Sequence, residues 1–251
     1  MKKKWLLIVP LMITLLLITV PYAYAEPIPD ISINIGDGDG EASGASTLSI
    51  LLLITVLSVA PAILVLMTSF TRIVIVLSFV KTSMGTNTVP PAQVLVGLAM
   101  FLTFFIMAPT FSEVNQVALQ PYIQGEITQE QAFEEAAKPM KRFMLNHTRE
   151  KDLLLFMNYT GEERPETYED IPITTLIPAY AISELKTAFQ MGFMIFIPFL
   201  VIDMIVASTL MAMGMMMLPP IMIALPFKIL LFILVDGWHL IVKSLLLSFS
   251  P

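Results

Sequence analysis

Groups able to do acid–base, nucleophilic or metal chemistry are scarce in this sequence, and most of them sit inside apolar runs. The 251 residues include no cysteine and two histidines, His147 and His239, in different regions without metal-ligand spacing. No HExxH, GxSxG or phosphate-cradling GxxxxGK[ST] pattern occurs. Neither an enzyme nor a cofactor or metal is expected, and any nucleotide hydrolysis belongs to another protein. What remains is the chemistry of charge in an apolar setting, carried by Arg72, Lys81, Glu184, Lys186, Asp203, Lys228, Asp236 and Lys243. A charge at a bilayer centre costs at least about 2.5 kcal/mol, so such groups face protein or a watery cavity. Glu184 and Lys186, two apart, cannot pair on one helix, and Asp203 has no base within a turn. The expectation is that Asp203 or Glu184 pairs with Lys228 across helices, and that the leftover half-pairs are met in an oligomer. On a last helix over 221–248, Lys228, Asp236, His239 and Lys243 fall within roughly 80° of one another at about 100° per residue. That stripe reads as a packing seam or as a path for protons or substrate.

A second constellation is soft rather than charged. Met211, Met213, Met215, Met216 and Met217 place five of the 18 methionines in seven residues around Gly214. Thioether side chains are unbranched and polarizable, filling irregular space without locking one packing. The cluster falls in a break marked by Gly214, Pro219 and Pro220, read as a hinge, where tight packing is not the expected need. Repeated around a ring, such side chains would make a deformable apolar gasket; inert filler is the plainer reading. A copper site is disfavoured by the lack of His or Cys nearby.

The elements that must position these residues are membrane helices. The chain is 56% hydrophobic and 14% charged, with a mean hydropathy of +0.80, where a soluble domain carries roughly 25% charge. Fold class is therefore all-α integral membrane protein: four hydrophobic helical segments arranged as kinked hairpins, with a short helical extracytoplasmic insertion. A net charge of −6 argues against nucleic acid. Residues 1–25 read as a cleavable signal peptide, with basic Met1–Lys4, apolar Trp5–Val20 and the small-residue site Ala23-Tyr24-Ala25; a retained helix is the alternative. Residues 26–46 form a flexible acidic linker. Its Asp37/Asp39 pair is not a calcium loop, because Leu48 stands where the bidentate acid belongs.

An N-terminal hairpin is expected over 47–111, with spans of about 47–80 and 92–111 and a turn at Gly85 and Pro90-Pro91. Arg72 and Lys81 put its basic end on the cytoplasmic side. The region 112–173 is polar and extracytoplasmic. Its stretch from Glu113 to Asp170 holds 12 acids against 6 bases, the composition of a water-facing region. There Thr128 and Gln131 fit a capping box, Pro139 is expected to end one helix and open the next, and Met140, Phe143 and Met144 share a face. The C-terminal hairpin, 174–251, is expected to hold helices over about 178–213 and 221–248, joined by the methionine-rich loop.

Assembled in order, these residues resemble the FliP family of flagellar type III export-gate proteins. The resemblance lies in Thr68-Ser69-Phe70-Thr71-Arg72-Ile73-Val74-Ile75-Val76-Leu77-Ser78, in Phe101-Leu102-Thr103 and Met107-Ala108-Pro109, and in Arg149-Glu150-Lys151-Asp152-Leu153. It continues through Pro178-Ala179-Tyr180-Ala181-Ile182-Ser183-Glu184-Leu185-Lys186-Thr187, Pro198-Phe199-Leu200-Val201-Ile202-Asp203, the methionine loop, Leu225-Pro226-Phe227-Lys228 and Asp236-Gly237-Trp238. The resemblance implies a homo-oligomer of about five copies closed into a ring. It implies FliQ and FliR subunits and other export-apparatus membrane proteins as partners, and unfolded rod, hook and filament proteins as cargo. It also implies a bacterial inner-membrane location in the flagellar basal body and a pore gasket at Met211, Met213, Met215, Met216 and Met217. In such a gate the apparent spans are bent hairpins, much of them sheltered by partners above the membrane plane. A virulence-secretion paralogue is the near alternative, disfavoured by the leader and the outer region; a proton-coupled transporter, using Asp203 and Glu184, lacks the repeated halves it would need.

Overall fold

Apolar residues at 73, 76, 77 and 80 define one face of a helix, and in the computed structural model Ile73, Val76, Leu77 and Val80 are all fully buried. The structure describes residues 65–86, 89–161, 167, 170–215 and 217–249, with isolated positions between 51 and 63. The expected signal peptide, the linker, Pro61 and Met216 lie outside the described residues. The described elements belong to the unit Leu53–Pro251. Its helices are α1 (Phe70–Ser83), α2 (Ala92–Ile123), α3 (Gln129–His147), α4 (Glu150–Thr160), α5 (Ile173–Ala212), α6 (Pro220–Leu234) and α7 (Gly237–Leu247). No strand occurs among the described residues.

The core forms where α1 lies along α5, flanked by α2 and closed by Phe232, Ile241, Leu245 and Phe249 from the C-terminal part. Lipid is as apolar as leucine, so burial of apolar area adds little between membrane helices and close contact must supply the attraction. Gly192 provides it: a Cβ there would stand 2.5 Å from the Phe79 ring. Phe79 also meets Phe189 edge-on at 5.4 Å. A second cluster, Met144, Ile171, Leu176 and Tyr180, seats the polar region on the first half of α5.

Helices α2 and α5 are long and apolar enough to cross a membrane, and the bent pair α6–α7 makes a third candidate if counted as one span. Four spans were expected; in the first, 47–80, only the part from 65 onward is described without a break, and α1 itself has 14 residues. Such a helix rises about 21 Å, short of a hydrocarbon core of about 30 Å.

Several boundaries move. Helix α2 does not stop at 111 but runs to Ile123, passing through a π-helical stretch at Asn115–Leu119. Helix α5 starts at Ile173 rather than 178 and carries Pro178 and Pro198 inside it. Pro139 does not end a helix. It lies buried in the middle of α3, which runs unbroken from the Thr128–Gln131 capping box to His147. Beyond it Phe143 and Met144 pack on Leu176 and Tyr180 of α5, contacts that offset the lost amide bond.

Candidate functional site: two ion pairs and a methionine loop

Two ion pairs tie α5 to α1 and to α6. In the first, Arg72 on α1 meets the fully buried Glu184 on α5 through a two-pronged contact. Its Nε donates to Glu184 Oε2 at 2.8 Å and its Nη2 donates to Oε1. The remaining nitrogen, Nη1, donates to the carbonyl and hydroxyl of Ser248 at 2.9 and 3.0 Å. The guanidinium also lies 3.8 Å over the ring of Phe249. Such a planar fork suits a buried carboxylate, because each N–H is aimed at an acceptor. Arg72, which the sequence placed at the basic end of the hairpin, is the centre of a buried knot. Nearby, Tyr180 donates its hydroxyl proton to the carbonyl of Thr68 at 3.0 Å, at the junction where α1 begins.

In the second pair, Lys228 on α6 donates to Asp203 Oδ2 on α5 at 2.6 Å and to the carbonyl of Ser83 at the end of α1 at 3.2 Å. Of the two carboxylates open to it in the sequence, Lys228 meets Asp203, since Glu184 is taken by Arg72. The lysine is buried while Asp203 is partly exposed, and its Oδ1 is buried without a hydrogen-bond partner.

The polar stripe of the last helix does not exist. The chain bends by 62° between α6 and α7, with Asp236 in the left-handed region at φ 50°. Lys228 is buried on one side of the break, while Asp236, His239 and Lys243 are exposed beyond it. A continuous helix was the premise of that stripe, and Asp236-Gly237 removes it. Lys186, Asp236 and Lys243 are exposed and Lys81 is half-buried; none of them has an ion pair among the described residues.

The polar region docks through hydrogen bonds that the sequence did not reveal. Ser183 on α5 donates to Asp152 Oδ2 at 2.8 Å and accepts from the backbone N–H of Arg149 at 3.0 Å. Arg149 extends along α5 to Gln190 Oε1 at 2.7 Å and Thr187 Oγ1 at 3.3 Å. On the other side Arg142 pairs with Glu113 at 2.8 Å. Among the described residues no group of His, Asp or Glu could hold a metal ion.

The methionine loop has a defined turn at its start. The N–H of Gly214 reaches the carbonyl of Met211, and the N–H of Met215 reaches that of Leu210, both at 3.0 Å. This reciprocal pattern closes a helix C-terminus and needs a left-handed residue at its corner; Gly214 supplies it at φ +74°. Pro219 caps α6 and Pro220 opens it, where proline's missing N–H is no loss. Between them the side chains of Met211, Met213, Met215 and Met217 are all exposed, Met217 by 98%. Below the turn an apolar cavity of about 430 Å³ opens between α5 and α6, lined by Ile205, Thr209, Met213, Ile223 and Phe227 among others.

The profile of the FliP family matches residues 53–245, a stretch holding both ion pairs and the loop. The chain belongs to the FliP family. Its similarity extends to proteins carrying the name flagellar biosynthetic protein FliP. The one from Bacillus subtilis (strain 168) is 69% identical over 196 residues, covering 78% of this chain and 89% of that protein. The one from Pectobacterium carotovorum subsp. carotovorum is 53% identical over 78% of this chain and 76% of its own length. The one from Aquifex aeolicus (strain VF5) is 48% identical, with 78% and 83% covered. Within this family frame, the residues that sequence reasoning missed are Ser248, Phe249, Ser183 and the Ser83 carbonyl. A serine, a phenylalanine and a backbone oxygen carry no pairing signal until the fold brings a guanidinium or ammonium to them.

Proposed function

We propose that this chain is a core membrane subunit of the flagellar protein export gate, whose copies close around an axis through which unfolded rod, hook and filament proteins pass. In this reading Met211, Met213, Met215, Met216 and Met217 from each copy meet at the axis as a deformable seal. Gly214, Pro219 and Pro220 let the loop yield, and FliQ, FliR and other export-apparatus membrane proteins complete the assembly. The site of action is the bacterial inner membrane at the flagellar basal body, with the polar region and the processed N-terminus on the outer side. Arg72–Glu184 and Asp203–Lys228 hold the subunit in shape, while Lys81, Lys186, Asp236 and Lys243 are left to partners. Family membership, the name its relatives carry and the long apolar helices support the reading.

The observation that carries the gasket is the loop itself. Four described methionines stand in the open on a turn closed by its own hydrogen bonds, so the turn does not need their side chains for its stability. Replacing the loop methionines with alanine should leave the fold and export intact while raising ion leakage through membranes holding the assembled complex. Unchanged conductance in that variant removes the gasket.

A further inference from the structure

A cluster that the export reading does not use holds Phe249. Phe249 is buried against Phe143 of α3, nearly parallel at 6.3 Å, and against the ring of His147 at 5.1 Å. The His147 ring also packs on Phe143 at 4.8 Å, and its Nδ1 lies 2.8 Å from the Phe143 carbonyl, which assigns the proton to Nδ1. Arg72 covers the Phe249 ring with its guanidinium and holds Ser248 by two hydrogen bonds. Helices α1 and α3 and the segment just after α7 therefore converge on one aromatic ring.

We propose that His147 and Phe249 form a proton-operated latch, in which neutral His147 fastens the C-terminal end of the chain to α3 and protonated His147 releases it. The docked imidazole packs beside two phenyl rings and is half-buried. Burial lowers its pKa below the ordinary 6.5; the carbonyls of Phe143 and Phe249 oppose this, Arg72 adds to it, and burial is the largest effect. The charged groups on the elements around it have other engagements. On α1 the only neighbouring charge is Arg72, itself tied to Glu184 of α5. Arg149, just beyond α3, is turned onto Gln190 and Thr187, and Asp152 of α4 onto Ser183. Among the described residues no acidic side chain forms an ion pair with His147. A cation on His147 would also compete with Arg72 for the π face of the same ring.

The sign follows from linkage. An undocked His147 titrates near 6.5 and a docked one lower, so docking is fully favoured above about pH 6.5. As pH falls from there toward the depressed value, docking weakens by a factor of ten per pH unit.

Hydrogen exchange on the full chain in detergent tests this, with segment 240–249 read against segment 129–140 of α3. His147→Gln retains an N–H for the Phe143 carbonyl but cannot take up a proton, and the ratio of the two proteins at one pH cancels intrinsic exchange. At pH 7.5 the ratio of wild-type to His147→Gln exchange in 240–249 sets the baseline left by trading the ring for an amide. At pH 5.5 that ratio should be about three- to tenfold larger, with no change in 129–140. Phe249→Leu should exchange faster than wild type at pH 7.5 and loosen little further at pH 5.5. A ratio unchanged between the two pH values, or unaltered protection in Phe249→Leu at pH 7.5, overturns the latch. Should His147→Gln not fold, the wild-type series decides: loosening confined to 240–249 between pH 6.5 and 5 supports the proposal, and loosening shared by 129–140 refutes it.

Discussion

Replacing Arg72 by methionine keeps much of the stem and removes the fork, leaving a fully buried Glu184 with no cation. Breaking a buried pair on one side costs about 3–5 kcal/mol, because the orphaned charge must be neutralised or hydrated. The substitution also forfeits two hydrogen bonds to Ser248 and the guanidinium on Phe249. Those losses share atoms with the pair and do not add fully, so about 4 kcal/mol is expected in total. Glu184→Gln leaves the arginine an amide oxygen to donate to and should cost less, about 2 kcal/mol. The double variant Arg72→Met/Glu184→Leu carries no buried charge and should lie within about 2 kcal/mol of wild type. Equilibrium unfolding of the full chain in mixed micelles, followed by helical circular dichroism, measures all three. An Arg72→Met cost below about 1 kcal/mol refutes the reasoning. So does a double variant less stable than Arg72→Met alone, because removing the second charge must then recover nothing.

Two further substitutions address other parts of the site. Lys228→Glu would set a carboxylate against Asp203, now 2.6 Å from the ammonium, and should abolish recovery of assembled complex on native gels. The swap Lys228→Asp/Asp203→Lys should restore part of it, and full assembly by the single variant excludes the pair from any structural role. Gly214→Ala forces a side chain into φ +74° with open space around it, so its cost is backbone strain alone, about 1–2 kcal/mol in the same unfolding assay. No loss of stability there would show that the turn is not left-handed.

Much of the helical architecture was legible because apolar runs, prolines and a capping box act locally. The 73/76/77/80 face of α1, the Thr128–Gln131 cap and the Gly214 break each rest on residues within a few positions of one another. The charges were less legible. That Glu184, Asp203 and Lys228 needed partners on other helices followed from the cost of burying charge. Which partner each one takes depends on how α1, α5 and α6 cross, and spacing does not hold that information. The false stripe on the last helix came from carrying a 100° step through Asp236-Gly237, two residues whose backbone preference stops a helix. Pro139 misled in the opposite sense: a breaker by type, it is overridden because the face beyond it has a surface to cover. The methionine loop was found by composition alone, yet its turn geometry required Gly214 to be seen between Leu210 and Met215.

The elbow between α6 and α7 is tight on its inner side. A Cβ on Gly237 would fall 2.3 Å from the Phe232 ring, and that ring is itself braced edge-on by Trp238 at 5.3 Å. The two arms form a bracket, with one end at the prolines beside the methionines and the other tied through Ser248 and Phe249 to Arg72. A side chain at 237 would have to push the Phe232 ring aside and open that corner, whereas the space around Gly214 is free.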